Sequence, residues 1–392
     1  MPVGGFWISL AGGVALAHAG ERLGSRRGYG ASLAAMLQSV AMIGPARLGI
    51  PLTQALTAPL LGYMDGGGRG VPAQVLACAA VRTVQNALGV AFFIFVVTGL
   101  DAYASSYDAV LPGFLSLPLP RGTAAALLLT AAALLAWSAF GSTVQVLVYR
   151  RGLARWRGEP EGYPPPRGAQ PTAAPVPSPE ASRPRRFDAR AVTVAAAVAF
   201  AVLLVETSWV LIAAAAAWLA AATLAAARPE RDVVRSGLAL AAVLALGGLL
   251  FSVVGGLGLD VGLRRGARAG LLVLVATWLR AAAGPEGLRE VVRRTLRRLR
   301  RIPSLDEACA VLEELGATMR LTASGRALFG SLGSVRKRPL PVLEAVLGWV
   351  RSEAGRFRPE QSSAQASLGL RPSDAVLVAT AAATALALVV PA

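Results

Sequence analysis

The sequence predicts an all-α, polytopic integral membrane protein with about 8–10 membrane helices and amphipathic coupling-type helices on its cytoplasmic side. Three observations carry that prediction. Of the 392 residues, 55% are hydrophobic and only 16% charged, where a soluble domain carries about 25% charge; mean hydropathy is +0.55. Apolar stretches long enough to cross a bilayer recur along the chain. The 39 Lys and Arg against 22 Asp and Glu, a formal charge of +17, cluster between those stretches as the positive-inside bias requires. A soluble nucleic-acid binder would interleave its basic residues with aromatics, which are only 6% here, so nucleic acid is set aside as a partner in favour of the lipid bilayer.

In the first half, residues 5–20 read as a retained membrane segment, since no Lys or Arg precedes Arg22 and no small-residue cleavage site stands out. Residues 31–63 carry Gly44, Pro45, Arg47, Pro51 and Pro59. The expectation there is a broken or re-entrant pair of short helices, with connecting structure at the interface as the alternative. Residues 73–100 and 123–148 are uninterrupted spans, and the loop 101–121, with two aspartates and one arginine, is expected outside.

Nine of the 25 prolines fall in residues 150–186, the composition of an extended linker. Arg150, Arg151, Arg155, Arg157, Arg167, Arg183, Arg185, Arg186 and Arg190 put it in the cytoplasm. The chain thus divides into an N-terminal membrane domain of unknown role, 1–149, a Pro/Arg-rich linker, 150–187, and a second membrane domain, 188–392.

That second domain opens with an apolar hairpin, residues 192–205 and 209–227, turned near Glu206, Thr207 and Ser208. A charged loop, 228–235, leads to spans at 238–257 and 269–283. Arg264, Arg265 and Arg268 fall at the outer end, against the charge bias, and must snorkel or find partners. Residues 285–358 are cytoplasmic helices. Pro285 opens the first, with Leu288, Val291, Val292, Leu296 and Leu299 on one face and Arg289, Arg293, Arg294, Arg297, Arg298, Arg300 and Arg301 on the other. Such a basic amphipathic helix lies at a membrane interface or against a partner. Pro303 ends it, and Ser304-Leu305-Asp306-Glu307 has the capping-box form for a second helix that Gly316 can close. A third begins near Pro339 and Pro341, and Asp374 precedes a final membrane helix, 374–391.

Chemistry-bearing motifs are sparse. Cys78 and Cys309 lie far apart and read as packing residues, and His18, the single histidine, cannot build a metal site or a triad alone. There is no GxSxG, HExxH or GxxxxGK[ST], and the run from Asp65 to Gly70 reads as a turn at Gly66, Gly67 and Gly68. Asp101, Glu206 and Asp260 sit at helix ends and are expected to be interface residues. The expectation is therefore a non-enzyme without cofactor or metal, driven by another subunit or an ion gradient.

Residues 188–392 resemble one known family. The matching features are the apolar hairpin 192–227, Gly262-Leu263-Arg264-Arg265-Gly266-Ala267-Arg268 leading into Leu271 to Leu279, and Ala283-Gly284-Pro285-Glu286-Gly287-Leu288. They continue with Arg300-Arg301-Ile302-Pro303, Asp306-Glu307, Pro339-Leu340 and a last helix opened by Asp374. Their order resembles the transmembrane T component of energy-coupling-factor (ECF) ABC importers.

The resemblance implies a multi-pass permease of the inner (cytoplasmic) membrane that couples ABC-type ATPase subunits to a membrane substrate-binding subunit. In such importers a small nutrient, a metal ion or a vitamin, is carried in. The family's coupling helices each bear Ala-Arg-Gly, whereas this chain reads Ala323-Ser324-Gly325-Arg326 and Ala354-Gly355-Arg356. Gly325, Arg326, Gly355 and Arg356 are the ATPase-coupling candidates on that resemblance, and Arg289, Arg293, Arg297 and Arg301 are the candidates on the basic helix. The reversed Gly-Arg order keeps a guanidinium available but turns it by about 100° on a helix, which leaves open a membrane scaffold or assembly protein that no longer couples to an ATPase.

Overall fold

The computed structural model describes residues 2–43, 49–115, 120–158, 186–205, 208–226, 231–298, 303–314, 344–350, 352 and 369–385. Among them there is helix and no strand, as a chain rich in Ala and Leu with glycine and proline between its apolar runs dictates.

Helix α1, Pro2–Ile43, turns back on itself at Gly24, whose φ of 80° is open to glycine. The turn lays Gly28 against Gly20 and both against Pro59 of α2, Gly49–Gly66. Small residues permit this approach: a Cβ on Gly62 would run into the Ala17 carbonyl. The expected broken stretch 31–63 is thus the end of α1 and then α2, with Pro59 inside α2. The glycine run closes α2 as the sequence indicates, with Gly68 at φ 69° and Gly68 N–H donating to the Asp65 carbonyl at 3.0 Å.

Helix α3, Val71–Phe92, continues through a π-helical turn, Phe93–Thr98, into Gly99 at φ 83°, after which α4 spans Leu100–Leu115 and α5 Thr123–Gly158. In the second half come α6, Ala189–Val205, and α7, Trp209–Ala225, the anticipated hairpin, with Ser208 Oγ accepting from Leu211 N–H at 3.3 Å. Helices α8, Arg231–Val254, and α9, Leu259–Arg298, are packed against each other through small residues. Gly262, Gly266 and Gly270 recur every fourth position on α9 and meet Leu249 and Ser252, the Ala245 carbonyl, and Ala241 with Ala245. Helix α9 bends at Gly284, φ 65°, immediately before Pro285.

Helix α10 is Pro303–Glu314 and α11 is Pro372–Ala383. One expectation is corrected here. Ser304 is the second residue of α10 and not its cap, because Pro303 already occupies the first turn, where its missing N–H costs nothing. Glu307 does not reach back to close a box; it faces Arg26 and Arg27 of α1 at 3.7 and 3.9 Å. Gly316, Pro339 and Pro341 lie outside the described residues, as does the end of the final helix beyond residue 385.

Among the described residues, four helical runs are long and apolar enough to cross a membrane: Val71–Thr98, Thr123–Arg157, Val233–Val254 and Leu259–Arg298. Three shorter apolar helices accompany them, Ala189–Val205, Trp209–Ala225 and Pro372–Ala383. Outward faces of α3 and α5 carry exposed Leu76, Leu88, Leu128, Trp137 and Phe140, the composition a lipid environment accepts. The interior forms three apolar clusters. The largest joins α6, α7, α9 and α11 around Leu203, Ile212, Val275 and Leu377, with Trp218 and Trp278 edge to face at 5.2 Å. A second gathers Val14, Leu61, Cys78, Val146 and Tyr149 with Val346 and Leu347. The third, Ala34, Leu296, Ala308 and Cys309, welds α1 to α9 and α10 and so joins the two halves.

Candidate functional site

Beyond the bend at Gly284, α9 leaves its apolar section and carries its arginines. Leu288 and Leu296 are buried in the apolar clusters, so the helix is anchored on that face. The arginines divide. Arg297 and Arg298 are exposed, Arg289 is half-buried, and Arg293 is only 8% exposed beside Glu290 at 7%. Arg293 donates to Glu290 through Nε at 2.8 Å and Nη2 at 2.7 Å, and Arg294 Nε adds a third bond at 2.7 Å. Arg293 is therefore an internal strut of the helix base, held bidentately by a carboxylate. Arg301 and the candidates Gly325, Arg326, Gly355 and Arg356 lie outside the described residues.

Two aspartates hold the neighbouring helix starts to one another. Asp374, 1% exposed, accepts from Arg371 N–H at 2.7 Å and from Asp188 N–H at 2.8 Å, pinning the start of α11 to that of α6. Asp188 is bound in turn by the Arg190 side chain at 3.2 Å and by Arg190 N–H at 2.8 Å. Burial pushes the Asp188 carboxyl up, but these bonds outweigh it and hold the group below its ordinary value.

A second charged knot closes the first half. Arg157 Nη2 bridges Glu21 and Asp65, each at 2.6 Å, and Arg150 adds to Asp65 at 3.6 Å. Burial raises the Asp65 carboxyl, and the bonds from Arg157 and from Gln74, 3.1 Å away, bring it below its usual range. His18 stacks on Trp156 at 5.2 Å beside Glu21, a packing role, and Cys78 and Cys309 are free and buried.

The arginine group at 264–268 finds local partners in part. Arg264 pairs with Asp260 one turn back, and Trp209 Nε1 donates to the same carboxylate at 2.8 Å. Arg265 lays its guanidinium on Gly99, where only a residue without Cβ fits. Arg268 is 7% exposed, with its Nε lacking a hydrogen-bond partner among the described residues.

One polar constellation was missed in the sequence. Across α2, α3 and α5, Gln145 Nε2 donates to Gln54 Oε1 at 2.9 Å and to Thr57 Oγ1 at 2.6 Å, Tyr149 O–H donates to Gln54 Oε1, and Arg82 Nη2 donates to Gln145 Oε1 at 3.2 Å. The available signal was the spacing of Ser138, Ser142, Gln145 and Tyr149, which places four polar residues on one stripe of an otherwise apolar helix. Among the described residues no group of His, Cys, Asp and Glu could hold a metal ion.

No protein-family model, curated protein or solved structure matches the chain.

Proposed function

We propose that the chain is the transmembrane coupling component of an ECF-type ABC importer for a small nutrient, seated as a multi-pass protein in the inner membrane. The observation that carries this reading is α9. It is an apolar, membrane-length helix that bends at Gly284 and continues as a basic rod, so displacement of the rod is delivered directly to the apolar section. The Glu290–Arg293 clamp stiffens the base, and Arg298 is exposed beyond it for an acidic partner surface. ATP-driven closure of separate ATPase subunits would push residues 285–358 and tilt a membrane substrate-binding partner. On this reading the three shorter apolar helices, with α1 and α2, also enter the bilayer beside the four long ones. Packing of α10 on α1 extends the same motion to the first half.

Purification of the intact chain from its native membrane in mild detergent tests this. A pair of ABC-type ATPase subunits should accompany the wild type and be lost from a monodisperse Arg326→Glu, Arg356→Glu variant. Recovery of the wild type with no ATPase would overturn the coupling role in favour of the scaffold.

A further inference from the structure

The outward stripe of α5 has the length of a bilayer core. Its exposed large side chains are Leu128, Leu135, Trp137, Phe140, Val144 and Leu147, covering about 28 Å of helix axis, against ~30 Å of hydrocarbon. Spacings of three and four carry the same stripe on from Val144 and Leu147 to Arg151. On α3 the exposed apolar side chains run from Phe95 back to Leu76, again about 28 Å, and Arg69 stands in the turn before that helix. The two helices are antiparallel, because Arg82 bonds Gln145 and Asn86 bonds Ser138. Both stripes therefore end at one level, in exposed arginines.

Four helix ends meet at that level. Arg157 Nη2 binds Glu21 and Asp65 at 2.6 Å each, Arg150 reaches Asp65 at 3.6 Å, and Gln74 Nε2 donates to Asp65 Oδ1 and to the Arg69 carbonyl, both at 3.1 Å. With Arg22 beside Glu21 and Arg151 beside Arg150, five guanidiniums gather on two carboxylates, an excess of three positive charges. Arg22, Arg69 and Arg151 are exposed and meet no carboxylate among the described residues, while Arg155, one turn on, is matched by Glu344. Each of the three has an exposed apolar or aromatic neighbour: Leu23 next to Arg22, Leu147 one turn from Arg151, and Tyr63 on the closing turns of α2 before Arg69. At the opposite ends of α3 and α5 the described charges are Asp101, Asp108 and Arg121, one negative in excess. The first 158 residues contain no lysine, and the arginine fork pairs with phosphate oxygens two at a time.

We infer that this arginine collar is a docking surface for anionic phospholipid. Headgroup phosphodiesters pair with Arg22, Arg69 and Arg151, and the acyl chains lie on the apolar stripes of α3 and α5. The stripes decide for lipid over an acidic protein: their length puts the guanidiniums at headgroup depth, with exposed apolar side chains continuing from them into the hydrocarbon. A free phosphate would use the arginines and leave the stripes idle. This assignment concerns the first half and stands whether or not the second half couples to an ATPase.

The full chain in detergent micelles doped with phosphatidylglycerol or, at equal mole fraction and acyl length, with phosphatidylcholine gives the test. A lipid bound only by the folded state stabilises it by mass action, so phosphatidylglycerol should raise the unfolding temperature saturably, by about 3 °C or more over phosphatidylcholine. A guanidinium near an anionic surface is worth about fivefold in affinity. Arg22→Gln, Arg69→Gln and Arg151→Gln combined should therefore raise the half-saturating phosphatidylglycerol fraction at least about tenfold, whereas Arg121→Gln at the opposite end should leave it in place. Equal melting of the wild type in the two lipids would overturn the lipid in favour of an acidic protein surface. A full effect from glycerol phosphate in phosphatidylcholine micelles would overturn it in favour of a free phosphate, and an unmoved half-saturation in the triple variant would overturn the collar. Should the triple variant fail to fold, Arg151→Gln alone must raise the half-saturating fraction about fivefold, and an unmoved value overturns the collar instead.

Discussion

Arg293 on α9 is buried and Arg82 on α3 half-buried, and the two halves treat them differently. Arg293 has a carboxylate one turn away, Glu290, placed by the sequence itself at i−3 and bonded through two nitrogens. Arg82 bonds to an amide, Gln145 of α5, which in turn donates to Gln54 and Thr57 of α2. The difference teaches that burial of a guanidinium in this chain follows two designs. One has an acid one turn away on the same helix, suited to a stiff rod; the other is assembled from distant segments and depends on how α2, α3 and α5 meet.

Removing the acid of the first design should give the largest effect. Glu290→Ala leaves Arg293 buried without its charge partner and should cost about 3–5 kcal/mol, read by denaturant unfolding in detergent. Glu290→Leu combined with Arg293→Met should recover most of that loss. A Glu290→Ala cost below about 1 kcal/mol would collapse the contrast with Arg82.

Asp374 comes next, being buried and accepting two backbone N–H groups from separate segments. Its replacement by Ala should cost about 2–3 kcal/mol, and Asn should restore only part, because an amide has one accepting oxygen. An Asn variant as stable as wild type would argue that the carboxylate charge contributes nothing there.

The smallest effect is a pH slope. Asp188 titrates below its ordinary value in the folded chain, so its stabilisation is fully present above the unfolded Asp value and is lost as pH falls through the folded one. Unfolding curves taken through that acid window should show a slope that Asp188→Asn flattens. An unaltered slope would assign it to other carboxylates, Asp65 among them.

Much of the fold was legible where its signals are local. The hairpin of α6 and α7, the bend at Gly284-Pro285 and the turn at Gly66–Gly68 each rest on a few contiguous residues whose backbone preferences act alone. Arg264 could have been paired with Asp260 from their spacing of four. Glu290 and Arg293 were harder, since charged residues on an amphipathic helix look solvent-facing until a neighbouring segment covers them. The Arg82 network was out of reach as a whole. Its members stand on three helices, separated by as many as 95 residues between Gln54 and Tyr149, and only tertiary packing brings them together.

The cross-half contacts carry one more consequence. Helix α1 lies on α9 and α10, α4 lies on α8 with Ser106 O–H donating to the Phe251 carbonyl, and Arg155 pairs with Glu344. These attachments occur at separate places along both halves, so the proline-rich run between them need not act as the fastener. Its effect is stoichiometric: a single reading frame delivers the two membrane bodies in equal number and at high local concentration, so neither can be made without the other.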